Sequence, residues 1–216
     1  MIDLFLRAAP LLATAVPMTL FLGGISFVFG SALGLGVALL RLSPLAPLRW
    51  VAFAYVSIFR GTPLLVQLLL IYFGLPRLGV VLDPLPSAIL ALTLFSASYL
   101  SENFRAGILS VDRGQWEASS SLGLSGRKTF TRIIFPQALR IAAPSVGSRL
   151  IALMKDTSLA SSITVVELTR VAEQIGAASF RYLEMFLMVG AIYWAINQVL
   201  TLLQMFVETR LSRHMQ

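Results

Sequence analysis

Cysteine is absent, and histidine occurs once, at His214. The first absence removes disulfides, a thiolate nucleophile and cysteine-ligated metals, and the second removes a clustered histidine site. Charge is scarce as well, with 12% Asp, Glu, Lys and Arg against 57% hydrophobic residues in a chain of 216. One soluble core of that length has no use for so much apolar surface, so the composition is that of a bilayer protein. The formal charge of +7 does not indicate nucleic acid, because the basic residues sit mainly between long apolar runs rather than on one face of a soluble domain.

Runs of mostly apolar residues lie at about 11–40, 50–74, 85–109, 141–165 and 182–207. Each reaches the roughly 20 residues needed to cross about 30 Å of hydrocarbon, which predicts an all-α membrane protein with five spans in one domain, 1–216. The first run is too long for the roughly 7 to 15 apolar residues of a signal peptide and is expected to remain on the mature protein. Within it Pro17 offers a kink, while Gly23, Gly24, Gly30, Gly34 and Gly36 offer a surface for close helix packing.

An odd number of spans puts the termini on opposite sides. With the N-terminus outside, the cytoplasm receives Arg41, Arg49, Arg113, Arg127, Lys128, Arg132, Arg140, Arg210 and Arg213, and the exterior keeps Arg7, Arg77, Arg170 and Arg181. Nine against four favours an external N-terminus and a cytoplasmic C-terminus. Of the outer connections, Leu75–Pro84 reads as a short turn, and Val166–Arg181 as a short surface helix carrying Glu167, Arg170, Glu173 and Gln174.

The longest polar stretch, about 112–140, mixes basic residues with Ile133, Ile134, Phe135 and Leu139, which predicts short helices broken at Gly123, Gly126 and Pro136 and suited to binding a protein. Gly126-Arg127-Lys128-Thr129 imitates the end of a phosphate loop, but Arg127 separates glycine from lysine and no strand precedes it, so no nucleotide site is expected in this chain.

Within that stretch Glu117-Ala118-Ser119, followed by Gly123, Ile133 and Pro136, resembles the EAA loop of permeases in binding-protein-dependent ABC importers. Serine replaces the usual second alanine, and Phe135 the usual leucine before proline. Phe59-Arg60-Gly61-Thr62-Pro63, Pro136-Gln137-Ala138-Leu139-Arg140 and Lys155-Asp156-Thr157-Ser158-Leu159 resemble the polar amino acid branch, whose members carry His, Glu, Gln, Arg or opines.

The resemblance implies an ABC importer permease fold with a cytoplasmic coupling helix, in which Glu117, Ala118, Ser119, Gly123 and Pro136 engage a separate ATPase. It further implies ATP on that partner with no cofactor in this chain, an external solute-binding protein, and a second permease copy or sister permease. The resemblance also implies the lipid of a bacterial cytoplasmic membrane as the setting and an amino acid as the cargo.

Charges at membrane depth cost several kcal/mol, so Arg60, Glu102, Lys155 and Asp156 need partners or a wet cavity. Asp156 falls about 22 Å along its span from Ile141, near mid-membrane, and shares a helix face with Arg149. A zwitterionic amino acid would suit Asp156 for its ammonium, with Thr157 and Ser158 nearby; Tyr99, Glu102 and Arg60 are the other candidate substrate contacts. Each has a structural alternative: an Arg60–Glu102 pair joining two spans, an Arg149–Asp156 pair within one, and a dimer interface for Ser96 and Asn103. Freed carbonyls where Gly61 and Pro63 interrupt the second run could meet either a neighbouring helix or substrate. An ion-coupled secondary transporter of small polar solutes is the alternative function, using the intramembrane carboxylates directly, although no repeat of one half in the other is visible.

Overall fold

The computed structural model describes residues 2–212, with side chains described for 7–210, and the described residues form helices and turns only. His214 and Arg213 lie outside them. Helix α1 runs Ile2–Arg41, α2 Ala46–Gly61, α3 Leu64–Leu69 and α4 Pro84–Leu109. A short α5, Arg113–Ser121, and a single-turn α6, Gly126–Thr129, lead into α7, Phe135–Asp156; α8, Leu168–Ser179, and α9, Tyr182–Ser212, complete the chain.

Three of these are long and apolar enough to cross a membrane: the Arg7–Arg41 part of α1, α4, and Tyr182–Arg210 of α9. The second apolar run is not one straight rod. Residues Ala46–Gly61 and Leu64–Leu78 meet at an angle of 107°, because Pro63 cannot donate to the helix ladder and Thr62 is extended at φ −119°, ψ 147°. Gln67 fills the break: its Nε2 donates to the Phe59 carbonyl at 2.9 Å and the Thr62 carbonyl at 3.2 Å. The carbonyls freed at the bend are therefore occupied by the protein itself.

The fourth run also differs from a uniform span. Helix α7 begins at Phe135, with Pro136 in its first turn, and a 3-10 segment, Thr157–Ile163, follows Asp156. A π turn, Phe130–Ile134, runs from α6 into α7 and the Phe135 amide donates to the Phe130 carbonyl, so Pro136 sits in continuous helical backbone: the break expected there does not form, and the wider turn accommodates the missing amide. With Arg140, Arg149, Lys155 and Asp156, α7 is polar for a span, and α1, α4 and α9 pack around it.

Close approach of α1 to α4 depends on glycine. A Cβ at Gly34 would stand 2.9 Å from the Ala97 carbonyl oxygen, and one at Gly30 3.2 Å from the Ser96 Cβ, whereas Gly24 and Gly36 face open space. Only part of the glycine surface is thus used in the contacts of this chain, and α1 continues as helix through Pro17. One apolar core joins Leu22, Leu68, Leu92, Leu153 and Ile163; a second joins Leu12, Leu168 and Met185 of α1, α8 and α9. Phe29, Trp50, Leu187, Trp194 and Phe206 point outward, as lipid-facing residues do.

Candidate functional site

Two places carry the chemistry. The first is the cytoplasmic loop, where the Asp112 carboxylate accepts from the Gly114 amide at 2.7 Å and caps α5. The helix ends at Gly123, whose φ of +69° suits glycine. The Leu124 amide donates to the Ser119 carbonyl and the Gly123 amide to the Ser120 carbonyl, a paired closure that fixes the exit direction. Gly126 then opens α6, as the sequence predicts.

Glu117 and Ala118 are exposed on α5, with Glu117 facing Arg113 at 3.7 Å. Ser119 is turned inward: it is buried, and its hydroxyl donates to the Gln115 carbonyl at 2.6 Å. It therefore shapes the helix, and Glu117 and Ala118 are what α5 presents to a partner. Pro136 is exposed at the start of α7.

The second place is a line of charge and aromatic rings across α2, α4 and α7. Arg149 donates through Nη2 to Asp156 at 2.7 Å and through Nε to the Ser96 hydroxyl at 3.3 Å. Its guanidinium carbon lies 5.1 Å from the Phe95 ring centroid and 5.0 Å from that of Tyr99. Arg149 is thus the internal partner of Asp156, and the side chains are 9% and 27% exposed respectively, leaving the carboxylate the more open member. Arg60 stands 5.0 Å from the same Tyr99 ring, so one aromatic ring carries two guanidinium groups.

Glu102 is not paired with Arg60. It is held by Arg41 and by Arg105, the latter at 2.8 Å, and among the described residues Arg60 has no acidic partner within 4 Å. A cavity of about 470 Å³ brings Arg60, Tyr99 and Glu102 together with Arg41, Phe53 and Ser57. Asp156 lies outside that cavity lining, joined to it through Arg149 and Tyr99.

Thr157 is fully buried, with its hydroxyl donating to the Met154 carbonyl at 2.7 Å, so it lines no open path. Ser158 donates to the Lys155 carbonyl at 2.8 Å, and Lys155 is exposed. Both hydroxyls are spent on their own helix, a common fate of Ser and Thr in helical backbone. Asn103 donates to the Ser145 carbonyl at 3.1 Å, joining α4 to α7 within the chain.

One residue on the outer connection gains a role that its sequence context hides. Glu167 was expected on a surface helix and is fully buried at the start of α8. Its carboxylate accepts from the Thr169 and Arg170 amides, both at 2.9 Å, and from the Tyr193 hydroxyl at 2.8 Å. Burial pushes the Glu167 carboxyl above the usual carboxylate range, against the pull of those donors. The adjoining Leu168 amide donates to Thr19 of α1, so α1, α8 and α9 meet here. Glutamate is not among the usual N-cap residues, so the local sequence carries no signal for this role.

Membrane-length helices surrounding a polar helix, with the capped α5 packed at their ends, define a helical membrane protein. The chain belongs to the family of binding-protein-dependent transport system inner membrane components, whose model matches residues 26–213. It is similar to the L-cystine transport system permease protein TcyB of Bacillus subtilis, 47% identical over 95% of this chain and 88% of that protein. The nopaline transport system permease protein NocM of Agrobacterium fabrum is 43% identical over 100% of this chain and 93% of its own length. A crystal structure of an amino acid ABC transporter with histidines superposes with a TM-score of 0.89 at 36% identity, covering 95% of this chain and 96% of that one. An inward-facing structure of the MetNI methionine ABC transporter shares the fold, with a TM-score of 0.80 at 23% identity and 93% and 96% coverage.

The fold is that of an ABC importer permease, and the protein is a multi-pass component of the inner membrane. It is the transport subunit of an ATP-driven importer, and its family implies permease and ATPase partners, with ATP hydrolysis the task of the separate ATPase. Nothing in these likenesses supports the ion-coupled alternative.

Proposed function

We propose that the chain forms half of an amino acid import pathway, crossing the membrane five times with its N-terminus outside. The observation that carries the cargo class is that the relatives TcyB and NocM, matched over nearly their whole lengths, are permeases for L-cystine and nopaline, both amino acid derivatives. The fourth crossing is α7, which packs against α1, α4 and α9 and pairs Arg149 with Asp156 within itself. A second permease copy or sister permease completes the pathway, and an external solute-binding protein delivers the cargo.

The polar line supplies what a zwitterion needs. Arg60, free of acidic partners, offers a fork of donors to the carboxylate, and the Tyr99 ring and the open side of Asp156 offer negative potential to the ammonium. Glu102, neutralised by Arg41 and Arg105, sets the charge of the cavity wall rather than binding cargo alone. Thr157 and Ser158 act by holding the end of α7 beside Asp156. On the cytoplasmic side, α5 docks on the ATPase through Glu117 and Ala118, with the Asp112 cap and Gly123 fixing where the helix begins and ends and Pro136 exposed beside it at the start of α7.

The test is uptake of labelled amino acids into vesicles containing the permease, its ATPase and its binding protein. Import should require ATP inside and binding protein outside. Accumulation driven by an ion gradient without ATP would defeat the proposal.

A further inference from the structure

Helix α5 reads Arg113-Gly114-Gln115-Trp116-Glu117-Ala118-Ser119-Ser120-Ser121, in which Trp116 is the one large apolar side chain. Its neighbours Gln115 and Glu117 are exposed, whereas Trp116 is half-buried. Trp116 packs with Phe130, Ile133 and Leu42 against a core of Ile108, Val111, Ile134 and Ala138. These residues come from the cytoplasmic ends of α1, α4 and α7 and from the turn joining α6 to α7. Ser119 is also buried on this side of α5, but its hydroxyl, like those of Ser120 and Ser121, bonds within α5, and Gln137 donates to the Gln115 side chain across 3.3 Å on an exposed surface.

Beside the indole lies a cavity of about 650 Å³, lined by Leu39, Leu42, Ile108, Leu109, Val111, Arg113, Trp116 and Phe130. The cavity leaves the rest of α5 clear of the end of α1, with Trp116 and Leu42 meeting in the shared core, so α5 has room to tilt about the indole. A side chain of indole size is then what converts a displacement of α5 into a displacement of α4 and α7, because packed rings resist compression while a long hydrogen bond between side-chain amides does not.

We propose that Trp116 is a positioning residue for transport: it transmits movement of α5 to α4 and α7, which carry Tyr99, Glu102, Arg149 and Asp156. The proposal rests on the docking role of α5 given above. Trp116 is half-buried and packed against the body of the protein, whereas Glu117 and Ala118 are exposed on the same helix.

The experiment measures ATP hydrolysis and amino acid uptake in one preparation of vesicles holding the assembled transporter, for the wild type, W116A and W116F. W116A should hydrolyse ATP within about twofold of wild type while uptake falls about tenfold or more, a loss of the size that small misplacements far from the chemistry produce. W116F, which keeps a ring in the core, should recover at least about half of the uptake. Uptake by W116A at the wild-type level overturns the proposal. So does a parallel loss of hydrolysis and uptake with the ATPase no longer co-purifying, since Trp116 would then shape the docking surface. W116F as poor as W116A also overturns it, and if W116A does not accumulate in the membrane, W116M takes its place under the same criteria. E117K and G123W in the same vesicles separate the two ideas: normal transport by both removes the docking role, while uncoupling by these with normal W116A removes only the role of Trp116.

Discussion

Asp156 shows how one side chain can belong to both structure and pathway. Its bond to Arg149 at 2.7 Å accounts for its cost at membrane depth, and its greater exposure leaves it able to meet cargo. Asp156→Asn keeps the shape but removes a charge-assisted contact of about 1.5 to 3 kcal/mol, so apparent affinity in vesicle uptake should fall roughly ten- to a hundredfold. Unchanged affinity and maximal rate for every transported amino acid would exclude direct contact, and loss of assembled complex in detergent would leave the ion pair as its whole role. Glu167 makes a different prediction. A carboxyl whose folded pKa lies above its unfolded value contributes stability that is complete below the ordinary range near about 4.3 and is lost as pH rises through the folded value. The thermal midpoint of the purified chain should therefore decline with rising pH above that range, and Glu167→Gln should flatten this component of the profile. An identical slope in the variant would refute the assignment.

At the scale of elements, chain breaks were the most legible feature. Gly123, Gly126 and Pro63 stand at helix ends because a left-handed residue, a helix start and a missing amide each have local causes. What meets the freed groups was not legible, since Gln67 satisfies the Phe59 carbonyl only once the chain has turned through 107°. Helix contact had the same limit. A row of glycines announces close packing, but Gly34 faces Ala97 while Gly36 faces open space, a choice made by the rotation of α1 against α4. Gly34→Leu should accordingly destabilise the purified permease by about 1 to 3 kcal/mol in a detergent unfolding titration, with Gly36→Leu near neutral as the control. Equal losses at both positions would contradict this packing.

At the scale of the whole molecule, orientation is the property to test, and the lack of cysteine makes the test clean. A membrane-impermeant thiol reagent added outside should label Gln174→Cys and leave Ser125→Cys untouched, both positions being exposed on the chain. The opposite pattern would invert the proposed topology. Composition and local pattern determined that this is a helical membrane protein, where its apolar runs lie, which loop carries a capped helix and which charges must find partners, because those properties depend on neighbours in the chain or on total apolar content. The tertiary structure decided who the partners are: Glu102 with Arg41 and Arg105 in place of Arg60, Thr157 turned inward, Glu167 buried beneath Tyr193, and Trp116 wedged under the cytoplasmic ends. Apart from the local Glu102–Arg105 and Thr157–Met154 contacts, these pairings join residues tens of positions apart, and a shift of one helix by a fraction of a turn would exchange one partner for another without altering any local pattern.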